Sequence, residues 1–321
     1  MLQRKGRKAP EVQIMKRFLL LLTILLLLTG CAAPAESVDI AEEAVALSDA
    51  PVPAVSVVLQ PEAPGLQETR CDEAVVDHSH TEDGYVMVRF TAETDKRLKV
   101  RIKGPKTTYT YNLPLDAWTV FPLSDGNGNY QAVVYKNISG SKYATVMTAK
   151  FSVELKDEFA PFLRPNQYVD YSEAVDTVAK GAALCEGLGH PLEKVAAVYD
   201  FVVDTLHYDY DKAATVKSGY LPVLDEVLAE EKGICFDYAA LMTAMLRSQE
   251  IPCKLVVGYA GSTYHAWISV WTEENGWIDG AIFFDGEHWK RMDPTFASSS
   301  ERSEEIMDFI ENGTYTVKYL Y

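Results

Sequence analysis

The feature that most restricts the fold is a change of hydrophobic period near residue 165. From about residue 71 to residue 155 apolar residues alternate in short runs, and 85–90, 98–102, 109–113, 130–135 and 144–147 all read as strands. Asp125-Gly126-Asn127-Gly128-Asn129 and Asn137-Ile138-Ser139-Gly140 supply turn chemistry between them. Their spacing suits a small all-β sandwich, with binding or spacing as its natural role. After Phe162-Leu163-Arg164-Pro165 the apolar residues recur three and four apart, which predicts helices over 171–185 and 191–206 and a short one over 221–229. Strands first and helices later make an α+β chain in two parts.

The N-terminus reads as an export signal. Six cations and one acid lie within the first seventeen residues, ahead of an eleven-residue apolar run at 18–28. Eleven residues rise only about 16 Å as a helix, roughly half a hydrocarbon core, so the run does not span a membrane. Leu28-Thr29-Gly30-Cys31 resembles the bacterial lipobox, which implies cleavage before Cys31 and lipid attachment to it. An ordinary signal peptide ending near a cysteine is the alternative. Residues 32–70 are acidic, rich in Ala and Pro and nearly free of aromatics, as expected of a flexible tether.

The whole chain carries −16, and the first thirty residues contribute +5, so the mature chain carries −21. That balance argues against a nucleic-acid partner, because affinity for phosphate backbones comes mainly from Lys and Arg. With Cys31 set aside, Cys71, Cys185, Cys235 and Cys253 are scattered without the short paired spacings of a zinc site. Cys71, Cys185 and Cys253 read as buried small hydrophobes. Asp77, His78, His80, Glu82 and Asp83 could form a metal cluster, but a solvated loop explains them equally well. No metal and no cofactor is expected.

Residues 233–247 are the informative stretch. Leu241, Met242, Met245 and Leu246 make an apolar stripe on a helix that begins at or just before Cys235, directly after a glycine. A cysteine there sits at the positive end of a helix dipole, which favours the thiolate and aims backbone N–H groups at a developing oxyanion. Two β-rich runs follow, 253–259 and 265–271, an antiparallel pair with His265 at the start of its second strand. Residues 289–295 read as a strand stopped by proline, with Asp293 at its end. Nucleophile, base and orienting carboxylate then lie on rigid elements. Tyr208 and Trp267 are candidates for the oxyanion site or the cleft, although each also reads as a packing residue.

These residues resemble the transglutaminase-like superfamily. The resemblance is carried by Tyr208-Asp209, Gly233-Ile234-Cys235-Phe236-Asp237-Tyr238-Ala239, Gly258-Tyr259, His265-Ala266-Trp267 and Trp289 through Asp293-Pro294-Thr295, over roughly residues 207–296. It implies a papain-like α+β domain with Cys235, His265 and Asp293 as a catalytic triad. The expected organisation is a signal peptide at 1–30, a tether at 31–70, a β-sandwich at 71–156 and a transglutaminase-like domain at 157–321. Residues 273–288 depart from the family pattern and are expected to form an extra hairpin beside the cleft. The implied function is thiol-dependent acyl transfer from protein or peptide amides, cell-wall-associated proteins included, by a lipid-anchored exported enzyme acting as transglutaminase, deamidase or peptidase. The alternative is a catalytically silent surface binding or adhesion lipoprotein.

Overall fold

The computed structural model describes residues 56–279, 282–284, 289–291 and 314–321. Cys31 and Asp293 therefore lie outside the described residues, as do the signal segment and most of the tether. Among the described residues no helix is long and apolar enough to cross a membrane.

The first half is all β. Strands β1 (Glu68–Arg70), β2 (Ala74–Asp77), β3 (Tyr85–Phe90), β4 (Leu98–Lys103), β5 (Thr108–Leu113), β6 (Thr119–Pro122), β7 (Gly128–Ser139) and β8 (Lys142–Val153) form two antiparallel four-stranded sheets. Their orders are β1-β2-β3-β6 and β5-β4-β7-β8. Alternation decides which side chains go inward. On β4 Leu98, Val100 and Ile102 are buried, opposite Leu113, Tyr111 and Tyr109 of β5, while Arg101 and Lys103 remain exposed. Val76, Val86, Val88, Phe90 and Phe121 from the other sheet enter the same core. The five runs anticipated from the sequence all lie in strands. β1, β2 and β6 are additional, and β2 escapes the period because all four of its residues are buried, the polar Asp77 included.

Asp77 departs from the reading of residues 77–83 as a solvated loop, because it ends β2 and is buried, while residues 78–83 form a part-exposed turn. The Asp77 carboxylate accepts from the N–H groups of Gly65 (2.6 Å) and Ser79 (2.9 Å), and His80 Nδ1 lies 2.9 Å from Asp83, which in turn holds Arg164 at 3.3 Å. These groups are committed to protein partners, and no metal-binding cluster occurs among the described residues.

The second half contains α1 (Val175–Cys185), α2 (Pro191–Thr205), β9 (His207–Tyr208), α3 (Tyr210–Thr215), α4 (Leu224–Glu230), β10 (Lys232–Gly233) and α5 (Cys235–Arg247). After these come β11 (Cys253–Ala260), β12 (Thr263–Thr272), β13 (Gly276–Asp279), β14 (Ile282–Phe284), β15 (Trp289–Arg291) and β16 (Tyr315–Leu320). α2 begins where its sequence says it must: Pro191 needs no N–H partner, and the Glu193 carboxylate accepts from the His190 N–H at 3.3 Å. Residues 171–174 precede α1 instead of opening it, because Tyr171 is buried and donates its hydroxyl to the Leu163 carbonyl at 2.9 Å. Likewise α4 starts at Leu224, three residues later than the apolar pattern suggests.

α5 is buried on all sides from Asp237 to Arg247, as a helix at the centre of a core should be. α1, α2 and α4 pack around it, and it rests on the antiparallel sheet β13-β12-β11-β16. Its last residue, Arg247, is fully buried and satisfied by three carbonyls, those of Cys253 (2.9 Å), Arg164 (2.7 Å) and Tyr321 (2.8 Å). Burying a guanidinium is tolerable only with such complete pairing. The extension at 273–288 is not one self-contained hairpin: β13 pairs with β12, and β14 pairs with β15.

Residues 50–321 form one compact unit, and the sandwich and the helical half share a continuous core. Tyrosines make the junction. The Tyr168 ring stacks on Tyr321 at 4.0 Å, and Tyr111 of β5 meets Tyr168 and Tyr321 edge-on at 5.6 and 5.9 Å. Nearby, Phe159 and Phe162 pack against Trp271 and Trp277 at 4.3 and 5.4 Å.

Candidate functional site

Cys235 is the first residue of α5, and its side chain is half-buried. The backbone N–H groups of a first helical turn have no intrahelical acceptor, so they present partial positive charge beside the sulfur. Ile234 precedes the helix in extended conformation, with φ −100° and ψ 174°. Its N–H donates to Asp237 Oδ2 at 2.8 Å, one half of a capping box that the apolar Ile234 side chain cannot reciprocate.

Asp237 is the hub beneath the helix start. It is completely buried, and besides the Ile234 N–H it takes the Tyr220 hydroxyl at 2.5 Å and Lys212 Nζ at 2.8 Å. Lys212 also lies 4.4 Å from the centre of the Tyr220 ring. Burial, and then the Asp237 carboxylate, push the Tyr220 hydroxyl well above its ordinary range, so it stays a donor. Asp237 lies within the 233–239 motif, close in sequence to the helix start. The motif could not reveal Lys212 and Tyr220, which reach the site from α3 and from the segment between α3 and α4.

A two-residue parallel ladder pairs β9 with β10, setting Tyr208 beside Gly233. It is extended by the Asp209 N–H donating to the Gly233 carbonyl at 2.8 Å. Asp209 caps α3 by accepting from the Lys212 N–H, and that bond together with Lys232 holds its carboxyl below the usual range. Gly233 is required by space: a Cβ there would stand 2.6 Å from Asp237 Cβ. Tyr208 is half-buried, its ring edge-on to Tyr210 at 5.0 Å.

His265 is the third residue of β12 and stands opposite Gly258 of β11. It is 4% exposed, and its ring stacks on Trp267 at 6.2 Å. Trp267 is itself buried, packed edge-on against Tyr315 at 5.2 Å. Gly258 lets β16 and Trp267 close over the strand, since a Cβ would stand 2.0 Å from the Thr316 carbonyl oxygen and 2.9 Å from the indole. α5 packs against β12, and Tyr264, directly before His265, lies within electrostatic reach of Cys235. The Tyr264 hydroxyl is pushed up to about 12, by burial first and with the Cys235 charge as a lesser cause. Tyr264 is 59% exposed and meets Tyr259 edge-on at 5.5 Å. Tyr259 belongs to the Gly258-Tyr259 motif, whereas no motif marked Tyr264.

Cys253 and Cys185 are more deeply buried than Cys235. Cys253 is fully buried, bonded to Thr243 Oγ1 at 3.6 Å, and burial pushes its thiol up to about 11. Burial raises Cys185 too, and Cys71 is half-buried; all four described cysteines are free.

Residues 179–280 match the transglutaminase-like superfamily, and residues 15–32 match a prokaryotic membrane lipoprotein lipid attachment site. One relative is a protein-glutamine gamma-glutamyltransferase of Pseudomonas aeruginosa, 29% identical over 100 residues, covering 26% of this chain and 13% of that protein. Another is an uncharacterized protein of Mycobacterium leprae, 30% identical over 138 residues, covering 39% of this chain and 46% of that protein. The chain thus spans less than half the length of these curated relatives. Among solved structures, red sea bream transglutaminase aligns with a TM-score of 0.29 and 13% identity, covering 73% of this chain and 56% of the other.

Proposed function

Since residues 179–280 are a transglutaminase-like domain in a chain with a lipoprotein lipid attachment site, we propose that this is an exported enzyme, lipid-anchored through Cys31, that transfers acyl groups from protein or peptide amides. The observation that carries the reading is the placement of Cys235. It is a half-buried thiol on the first turn of a buried helix, braced from below by Asp237 and set near the start of the strand that bears His265.

Cys235 is the nucleophile, His265 the base and Asp293 the group that orients the imidazole. The Cys235 thiolate attacks the amide carbonyl, and the first-turn N–H groups of α5 stabilise the oxyanion. The C–N bond breaks as the imidazolium gives its proton to the leaving amine. A thioester remains on Cys235 and is released by water or by a second amine, returning the thiolate. Lowering a thiol pKa from about 8.5 to about 4 gains only a factor of roughly 30 in thiolate at neutral pH. Positioning and oxyanion stabilisation must therefore supply most of the acceleration.

Incubating the protein with glutamine-containing peptides and a primary amine, read by mass, tests the proposal. Amine incorporation with loss of ammonia is transfer, loss of ammonia alone is deamidation, and backbone cleavage is peptidase action. Cys235→Ala should abolish whichever product forms while leaving the thermal midpoint within a few degrees. A Cys235→Ala variant that turns over at the parental rate refutes the assignment.

A further inference from the structure

Charge is segregated along this chain in a way that acyl transfer does not explain. Residues 96–153 hold nine Lys and Arg against two acids, a net +7, whereas the mature chain totals −21, which leaves −28 on everything else. Those residues build the sheet β5-β4-β7-β8, and its four strands contain no Asp or Glu.

The cations fall on the outer face of that sheet. Alternation turns Leu98, Val100 and Ile102 inward and Lys99, Arg101 and Lys103 outward, about 7 Å apart along β4. Lys103 pairs with Gln131 of β7, and Gln131 pairs with Lys150 of β8, so Lys150 joins the same face two strands away. None of these four cations has a carboxylate partner among the described residues. Tyr135 and Tyr143 lie among them, 5.3 Å from the Arg101 guanidinium and 5.7 Å from Lys99 Nζ. Between Lys103 and Lys150 a depression of about 430 Å³ is lined by Gly104, Asn129 and Gln131 among others, room enough for a phosphodiester headgroup.

We propose that this face rests on anionic phospholipid of the bilayer that holds the lipid anchor. The lipid attachment site ends at residue 32, and the 24 residues 32–55 lead from it to the first described residue. A coil of 24 residues, which the acidic, Ala- and Pro-rich composition of 32–55 predicts, would span about 27 Å r.m.s. and keep the sandwich near the membrane at high effective concentration. Each Lys or Arg brought to an anionic surface strengthens binding about fivefold, within a Debye length of about 8 Å. The acidic remainder is repelled by the same surface, so one orientation is selected. The tyrosines then occupy the headgroup layer, where their amphipathic rings are favoured.

The proposal rests on the anchoring suggested above and not on the catalytic assignment. Its test uses the lipidated mature protein in vesicles of phosphatidylcholine, with or without phosphatidylglycerol, after intact mass has shown lipid on Cys31. A membrane-impermeant amine reagent then reports each lysine by peptide mass spectrometry. In anionic vesicles Lys99, Lys103 and Lys150 should be acylated at least about tenfold more slowly than Lys194 or Lys217, and the protection should vanish at about 1 M salt, where the Debye length is near 3 Å. In Lys103→Glu/Lys150→Glu protein, Lys99 should lose its protection. Equal acylation in both vesicle types, or protection that needs an added acidic polypeptide or nucleic acid, overturns the proposal. Absence of lipid on Cys31 would show instead that the anchoring reading had failed.

Discussion

Replacing Asp237 by alanine removes the carboxylate that fixes the start of α5, and the structure allows the cost to be worked out. Three donors lose their acceptor: the buried Ile234 N–H, the Tyr220 hydroxyl and Lys212 Nζ. The Ile234 N–H has no route to water, and an unsatisfied buried donor costs about 1–3 kcal/mol. Lys212 is 27% exposed and can turn outward, and Tyr220 is half-buried, so these two together add roughly 1–2 kcal/mol. Removing the desolvated carboxylate returns part of this, leaving a loss of about 3 kcal/mol. For a compact body of this size that lowers the thermal midpoint by roughly 5 °C. Asp237→Asn keeps an oxygen for the Ile234 N–H and should lose about half as much, and Tyr220→Phe about 1.5 kcal/mol. Urea unfolding of the three variants measures the series. Activity should fall by about a hundredfold even where Asp237→Asn remains folded, since Cys235 moves with the helix end. A loss below about 1 kcal/mol for the alanine variant, or an order in which asparagine is the worst, would refute the hub.

Lys254 of β11 lies 3.3 Å from the centre of the Trp277 ring, and burial lowers its amine to about 8, with Asp279 and Glu158 pulling the other way. The unfolded chain binds this proton up to about pH 10.4, so between pH 8 and 10 it holds more protons than the native state and stability rises with pH. Partial exposure limits the gain to about 1 kcal/mol, and Lys254→Met, compared by urea melts at pH 7 and 9.5, should abolish the slope. Gly258→Ala forces a Cβ against the Thr316 carbonyl and the Trp267 indole. It should cost at least about 3 kcal/mol and loosen β16, measurable as faster amide exchange at 315–320.

What the sequence made legible was local and periodic. The α2 start was readable because proline and a capping glutamate are adjacent to it, and the α5 start because Gly233 and the apolar stripe bracket it. The β11–β12 pair followed from two β-rich runs close in sequence. Partners distant in the chain were not readable. β16 joins β11 across more than fifty residues, Arg247 is satisfied by carbonyls 83 and 74 positions away, and the Asp237 hub draws on Lys212 and Tyr220. Tyr171 shows the same limit at short range, since its apolar spacing fits a helix but its hydroxyl finds the Leu163 carbonyl and the backbone follows. Trp267 reads from the sequence as a packing residue more than as a cleft residue, and it is buried, edge-on to Tyr315.

The tyrosine junction has a consequence for how such a chain can evolve. Tyr111 belongs to β5, yet its neighbours include Tyr168 and Tyr321, so the outermost strand of the sandwich doubles as a wall for the helical half. A recombination event that exchanged the sandwich for another would strip that wall and expose a stacked aromatic surface to solvent. The β-sheet half and its companion therefore depend on each other to bury these rings. Variation in its recognition properties is free only on the opposite side, the outward row of Lys99, Arg101 and Lys103, where side chains can change without disturbing the stack.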